Sequence, residues 1–257
     1  MRRKRKRKLK KGFKIFLISI LVIAVIVLII VFGFQIKTVK VSLDLNQFTE
    51  TEVKAYMDAK KIDNTFVFWL RNKLGLSEKI ELFEQYSVKM NSPVKVTITA
   101  YEKKFKGYIN NDGIYVYFDD TGRILKKSTE KIKSIPKITG IDYNKLDLYE
   151  IINAKNKKAL DTLLNVTSAI EEYDYNVKKI HISQNLETTL FIKKLQIQLG
   201  KENNLDRKLT AFNDMYSNVI NMEGVLNMKR LSSDGSYTLK TEEETSKNEN
   251  QNKNKKE

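Results

Sequence analysis

The sequence predicts an α+β protein that carries a single N-terminal transmembrane helix. An apolar run of 20 residues near the N-terminus, a first block ordered β-α-α-β-β and a second block rich in strand and turn signals predict this class. The expected organisation is a basic cytoplasmic arm (1–14), a transmembrane helix (15–34), a small α+β domain (35–102), a β-rich domain with flanking helices (103–240) and a disordered polar tail (241–257).

The apolar run extends from Ile15 to Phe34 and contains no charged residue. At ~1.5 Å per residue, a helix of this length spans a hydrocarbon core of roughly 30 Å. Ten Lys or Arg residues lie among residues 1–14, and such blocks stay on the cytoplasmic side. We therefore expect one crossing, with everything from Gln35 onward outside. The alternative is a cleaved secretory signal, but the segment leaving the apolar run lacks the small-residue cleavage site that such a signal needs.

The net charge of +16 does not by itself indicate a nucleic acid partner, because ten of the positive charges lie in the first 14 residues. A basic block beside a membrane helix is attracted to anionic lipid headgroups by ~1 kcal/mol per charge. We therefore expect membrane lipid as a partner and no nucleic acid. The chain has no cysteine, which excludes thiol nucleophiles, redox CxxC motifs and cysteine zinc sites.

The first exported block has the signals of a small α+β domain. Period-2 alternation, a Ser/Thr-x-x-Glu capping box and turn residues define its elements. The predicted elements are a strand over 39–43, a helix beginning at the capping box of Thr49 and Glu52, a helical stretch that follows Asn64 and ends around Phe83, and strands over 87–90 and 94–100.

The second block predicts strands with flanking helices. Asp-Gly and Asp-Asp-Thr-Gly turns mark its hairpins. The predicted elements are a hairpin over 108–118, a strand over 123–125, a connector over 135–140, a helical stretch within 146–173, strands over 177–182 and 188–199, a helix over 205–221, and a last hairpin of 225–231 and 236–240 around the turn 233–235. Residues 241–257 contain no apolar residue, so they cannot offset the entropy of ordering and are expected to be disordered.

Catalytic and metal-binding patterns are weak. The single histidine, His181, alternates with isoleucines in a predicted strand and is expected to face solvent or a partner strand. Asp119 and Asp120 lie in a predicted turn, where aspartate serves the backbone. Ser-x-x-Lys occurs without the accompanying motifs of penicillin-recognising enzymes, at Ser92/Lys95, Ser128/Lys131 and Ser134/Lys137. We expect no catalytic residue, no metal and no cofactor.

Two interaction features remain. Phe66, Phe68 and Trp69 cluster at a helix start and are either an exposed docking patch or part of the core. The strand over 236–240 closes the folded region and is either an ordinary paired strand or an exposed edge. An exposed edge offers unpaired N–H and C=O groups to a strand of a partner.

The order of these features resembles the bacterial division proteins FtsQ and DivIB over about residues 1–240. In the first block the resemblance is carried by Phe34-x-Ile36-x-x-Val39-x-Val41, Asn64-x-Phe66-x-Phe68 and Pro93-Val94-x-Val96-x-Ile98-x-x-Tyr101-Glu102-Lys103. In the second it is carried by Tyr117-x-Asp119-x-x-Gly122-x-Ile124-Leu125, Ile135-Pro136-x-Ile138-Thr139-Gly140, and Gln198-Leu199-Gly200 before Lys208-Leu209. The disordered outer tail is similar to the Gram-positive DivIB form.

The resemblance implies a POTRA domain at 35–102 that serves recruitment, followed by a β domain that binds FtsL and DivIC (FtsB in Gram-negatives). It implies a non-enzymatic role at the division septum, controlling peptidoglycan synthesis by FtsW and its transpeptidase. The expected partner-binding edge, formed by strand addition, consists of Ser236, Tyr237, Thr238, Leu239 and Lys240, with Lys229 and Arg230 beside it. Tyr237 and Leu239 are expected to fill specificity pockets.

Two other functions stay open from the residues alone. The chain could be a membrane-anchored exported module of another envelope or sporulation pathway, which predicts no septal localisation. It could also be an anchored cell-wall enzyme, which predicts turnover by the isolated exported part. The lack of a credible nucleophile with its acid and base argues against the enzyme.

Overall fold

A computed structural model of the protein describes residues 11–173, 175–230 and 237–240. It divides into two units, Met1–Lys103 and Lys104–Glu257. Helices and strands occur in both units, which confirms the predicted α+β class. The predictions for residues 1–10 of the basic arm, for the turn 233–235, for Ser236 and for the tail 241–257 lie outside the described residues.

Helix α1 (Lys11–Gly33) is, among the described residues, the helix that is long and apolar enough to cross a membrane. None of its residues is buried against the protein. The hydroxyl of Ser19 donates a 2.8 Å hydrogen bond to the carbonyl of Phe16, so this polar group is satisfied within the helix, as a lipid environment requires. The helix begins before Ile15 and ends one residue before Phe34. Its length and composition fit a single-pass membrane anchor.

The rest of the first unit, which we call the membrane-proximal module (residues 35–103), has the predicted β-α-α-β-β order. Its elements are β1 (Thr38–Leu43), α2 (Glu50–Ala59), α3 (Thr65–Lys73), β2 (Phe83–Ser92) and β3 (Lys95–Glu102). The strands lie in the order β1-β3-β2, with β1 parallel and β2 antiparallel to β3. The capping box is present, because Thr49 accepts from the N–H of Glu52 and Glu52 accepts from the N–H of Thr49.

The predicted end of the second helix is wrong. Helix α3 stops at Lys73, not around Phe83, because Gly75 adopts a left-handed conformation with φ of 70°. The N–H groups of Gly75 and Leu76 bond the carbonyls of Asn72 and Arg71, which forms a Schellman motif and terminates the helix. Phe83 instead begins β2, which is longer than the predicted strand over 87–90.

The second unit is built on a mixed sheet. Its described strands lie in the order β14-β13-β12-β11-β10-β7-β4-β5-β6. These strands are β4 (Gly107–Asn111), β5 (Ile114–Phe118), β6 (Ile124–Ser128), β7 (Lys137–Thr139), β10 (Val177–Ile182), β11 (Thr188–Ile192), β12 (Leu195–Gly200), β13 (Gly224–Asn227) and β14 (Thr238–Lys240). A separate pair, β8 (Tyr143–Lys145) and β9 (Asn153–Ala154), lies in the long connection after β7.

Helices α4 (Lys157–Glu171) and α5 (Leu205–Val219) complete the second unit. Their apolar residues share one core with the strands, including Leu163 and Phe212, which are fully buried. Helix α4 begins later than the predicted stretch over 146–173, because Ala154 pairs with Tyr143 and holds the preceding backbone extended. His181 lies 3.1 Å from the hydroxyl of Thr139 on the neighbouring strand β7, which confirms that it faces a partner strand.

Candidate partner-binding edge

Strand β14 lies at one end of the sheet of the second unit. Among the described strands it pairs with β13 alone, antiparallel, with Leu239 opposite Leu226 and Thr238 opposite Asn227. A terminal strand presents N–H and C=O groups on its outer side that a further strand can pair with. The other end of the sheet is β6.

The side chains of this edge alternate in their surroundings. Tyr237 and Leu239 are half-buried and pack against the hydrophobic core of their own unit, whereas Thr238 and Lys240 are exposed. Tyr237 and Leu239 therefore contribute part of each side chain to their own core, and their role in pockets of a partner stays a prediction. The fifth predicted edge residue, Ser236, lies outside the described residues.

Lys229 and Arg230 follow β13 and lie at the same corner. The ammonium group of Lys229 donates a 2.6 Å hydrogen bond to Glu187, and this bond lowers the pKa of the Glu187 carboxyl. The stem of Lys229 lies against Gly200, where an added Cβ would come within 3.1 Å of its Cα and Cβ atoms. Gly200, with φ of 72°, is therefore needed both for its backbone conformation and for the close approach of Lys229.

Open cavities flank the corner and share Asn203, Lys229 and Arg230. The larger, of about 800 Å³, lies between α5 and the edge and also contacts Arg207, Lys208, Ala211, Asp214, Met215, Asn218 and Tyr237. The smaller, of about 640 Å³, also contacts Glu187, Lys201, Asn227 and Thr238. Basic side chains outnumber acidic ones in both linings, so the corner carries a positive charge.

Residues 107–233 match the family model described as "Cell division protein FtsQ/DivIB, C-terminal". Through this domain the chain belongs to the FtsQ/DivIB family. The matched region of the FtsQ/DivIB domain runs from β4 past β13 and ends before β14. No curated protein matches the chain. Membership of FtsQ/DivIB makes this a cell division protein that works with protein partners of the division complex.

Sequence reasoning did not assign a site role to the lysine that supports this corner of the FtsQ/DivIB domain. Lys208 on α5 is 5% exposed, and its ammonium group donates to the carbonyls of Leu199 at 2.6 Å and Lys201 at 3.0 Å. Burial lowers the pKa of Lys208. These bonds tie the first turns of α5 to the end of β12. The signal was the Gln198-Leu199-Gly200 pattern followed by Lys208, which the resemblance had already singled out.

Asp119 and Ser128, two of the residues weighed for catalysis, have structural roles in the FtsQ/DivIB domain. One oxygen of Asp119 accepts hydrogen bonds from the N–H and hydroxyl of Thr121 and from the N–H of Arg123, which stabilises the predicted turn. The hydroxyl of Ser128 accepts from the N–H of Glu130. Within the described parts of the chain, no group of three His, Asp or Glu side chains is placed to hold a metal ion.

Proposed function

We propose that this protein is a scaffold and regulator of the divisome that binds FtsL and DivIC (FtsB-like) outside the membrane. Through them it helps control septal peptidoglycan synthesis by FtsW and its transpeptidase. It acts by binding and not by catalysis. The observation that carries the proposal is the terminal position of β14 in a sheet that belongs to an FtsQ/DivIB domain.

The proposed mechanism is addition of a partner strand to β14. Main-chain hydrogen bonds to residues 236–240 supply most of the affinity, and alternate side chains of the incoming strand supply specificity. The cavity beside Tyr237 is the place for those side chains. Lys229 and Arg230 then attract carboxylates of the partner and set its register, because charged groups at an interface steer and orient association.

The proposed topology places the FtsQ/DivIB domain outside the cell at the division septum. Its support is the block of ten Lys and Arg residues among residues 1–14, which favours a cytoplasmic N-terminus. The proposed division of labour assigns recruitment to the POTRA domain at 35–102 and partner binding to the β domain at 103–240.

A capture experiment tests the mechanism. The full chain in detergent is captured on the immobilised FtsL–DivIC pair of the same organism, and Leu239→Pro is compared with wild type. The N–H of Met228 bonds the carbonyl of Gln198 on β12, so Asn227 faces β14 and bonds its partner Thr238, and the N–H of Leu239 points outward by alternation. Proline at position 239 therefore removes an outward N–H of the edge and keeps an apolar side chain there. We expect capture to weaken at least about tenfold, because a lost main-chain hydrogen bond with an unpaired group costs roughly 1–3 kcal/mol.

The matched control is Lys127→Pro on β6, an exposed residue of the strand at the opposite end of the same sheet. We expect it to bind FtsL–DivIC as wild type does, with unchanged circular dichroism in both variants. Equal weakening by both prolines would point to general damage of the sheet. Unchanged binding of a folded Leu239→Pro protein would reject strand addition at β14, and no binding by wild type would reject these partners.

A further inference from the structure

Helix α3 of the membrane-proximal module carries apolar residues beyond the side that it buries, and it ends in the polar residues Arg71, Asn72 and Lys73. Only Thr65 and Phe68 of its residues are buried in the module. Outside the buried positions lie Phe66, Trp69 and Leu70, which are half-buried, and Val67, which is 44% exposed. A helix on a water-exposed surface normally shows polar residues on its outer face. An apolar outer face on a soluble module marks an interaction surface.

The beginning of α3 is fastened to the end of the membrane helix. The side-chain amide of Asn64 donates a 2.8 Å hydrogen bond to the carbonyl of Ile30, in the last turn of α1. The N–H of Thr65 donates a 2.7 Å bond to the carbonyl of Phe34, and the N–H of Ile36 donates a 2.7 Å bond to the carbonyl of Asp63. These bonds hold α3 directly at the level where α1 ends.

Aromatic contacts continue this connection along α3. The rings of Phe34 and Phe66 meet edge to face at 5.7 Å, and Phe66 lies 6.0 Å from Trp69. An aromatic path therefore runs from the end of α1 onto the outer face of α3. Aromatic residues, tryptophan above all, concentrate at the level of the lipid headgroups.

The depth of these residues follows from helix geometry. Leu70 is five positions after Thr65, which is about 8 Å along a helix axis. The headgroup layer is roughly 5–8 Å thick on each side of the hydrocarbon core. The outer face of α3 from Phe66 to Leu70 therefore lies within or next to that layer, whatever the tilt of the helix.

We propose that the outer face of α3, formed by Phe66, Val67, Trp69 and Leu70, inserts into the lipid headgroup layer of the membrane that α1 spans. The occupant of this face is lipid, because the surface is continuous with the apolar end of α1. The exposed Lys73 at the end of α3 adds a cation for anionic headgroups. The contact holds the membrane-proximal module in a fixed orientation on the bilayer.

The single tryptophan of the chain makes the proposal directly measurable, since Trp69 alone gives the indole fluorescence. The full chain is reconstituted into vesicles of phosphatidylcholine and phosphatidylglycerol. Part of the phosphatidylcholine is brominated either near the headgroup end of its acyl chain or near the terminal methyl. Because tryptophan at an interface sits at headgroup depth, we expect the first lipid to remove about half of the Trp69 emission and the second to remove little. Aqueous iodide should quench Trp69 weakly.

Two matched substitutions test whether insertion of the outer face of α3, and not only its position near the membrane, brings Trp69 into contact with lipid. Val67→Glu places a charge on the outer face at the third helical position, where glutamate suits the helix. Leu45→Glu makes the same change at a residue that is also 44% exposed but lies beyond the far end of β1. We expect Val67→Glu to abolish quenching by brominated lipid and to restore quenching by iodide, and Leu45→Glu to change neither.

Two results would overturn the proposal. Full quenching of wild-type Trp69 by iodide with none by brominated lipid would show that the face is in water. Protection from both quenchers would show that a protein surface, such as a second copy of the chain, covers it. Neither result depends on FtsL or DivIC, so the test is independent of the function proposed for the β14 edge.

Discussion

The membrane-proximal module and the C-terminal unit both pack helices against a sheet, but their helices differ on the outside. Helix α5 buries Leu209 and Phe212 and turns polar residues outward. Helix α3 buries Thr65 and Phe68 and turns Val67 and other apolar residues outward. The difference shows that apolar periodicity alone does not identify the core face of a helix. The lipid contact that we propose for α3 accounts for its apolar residues outside the core.

Alanine substitutions on the two helices sharpen this comparison most. Phe212 is fully buried against Tyr175 and Tyr216, so Phe212→Ala should cost about 3–5 kcal/mol of unfolding free energy. Phe66→Ala removes a half-buried ring on the outer face of α3 and should cost less than about 1.5 kcal/mol in detergent, the lower end of what a fully buried ring contributes. Denaturant unfolding of the full chain in detergent, followed by circular dichroism, measures both. Equal losses would contradict the assignment of different outer and inner faces.

Buried and exposed carboxylates give a second contrast between the regions. In the membrane-proximal module the buried carboxylate of Glu102 accepts 2.9 Å bonds from the N–H groups of Leu45, Gln47 and Phe48. These bonds hold the loop between β1 and α2. Glu102→Gln leaves at least one of those donors without an acceptor, so we expect a loss of about 1–3 kcal/mol. Emission of Trp69, which lies in the same module, reports this unfolding.

The pH dependence of the module follows from the same residue. Burial raises the pKa of Glu102 above its usual 4.5, so the folded state binds this proton more tightly than the unfolded state. Proton binding by Glu102 therefore stabilises the folded module. This stabilisation is fully present below the pKa of Glu102 in the unfolded state, and it is lost as pH rises through the pKa of Glu102 in the folded state. The Glu102→Gln protein should lack this decrease. An unchanged pH profile in the variant would show that Glu102 does not control it.

The smallest effect is expected at the exposed ion pair of the C-terminal unit. Glu187→Gln removes the partner of Lys229, and such a surface pair contributes less than about 1 kcal/mol. The pKa of Glu187 is lowered in the folded state. The stabilisation that Glu187 contributes is therefore present above its pKa in the unfolded state, and it is lost as pH falls through its pKa in the folded state. Unfolding of wild type and variant between neutral and acidic pH measures the difference, which should vanish at the acidic end. If Glu187→Gln lost as much unfolding free energy as Glu102→Gln, the expected difference between an exposed and a buried carboxylate would be contradicted.

Local signals predicted the elements well where turn chemistry and periodicity agreed. The capping box at Thr49 and the hairpin around Asp112-Gly113 form as expected. The strand predicted over 188–199 is instead two antiparallel strands, β11 and β12, because the chain turns at Lys193, whose φ is 50°. The errors lie where a local signal was overridden or overlooked. Gly75 ended α3 early, and pairing of Ala154 with β8 kept the chain extended before α4.

The candidate edge was predicted from sequence only as a position along the chain. Residues 238–240 form a strand within the predicted span 236–240, and the exposure of the Thr238 side chain follows from alternation. Asn203 and Arg207, which line the neighbouring cavity, were not predicted. They reach the edge through the packing of α5 beside it, which no local pattern encodes.

By itself, the sequence determined the membrane helix, the β-α-α-β-β order and the turns, because these depend on interactions between residues close together in the chain. Only the tertiary structure shows that β14 is a terminal strand of the sheet. It also shows that the buried ammonium group of Lys208 donates to the carbonyls of Leu199 and Lys201, and that Val67 is exposed. These features depend on which distant segments pair and pack. Strand order and burial are set by long-range contacts, whose free energy is shared among residues far apart in the sequence.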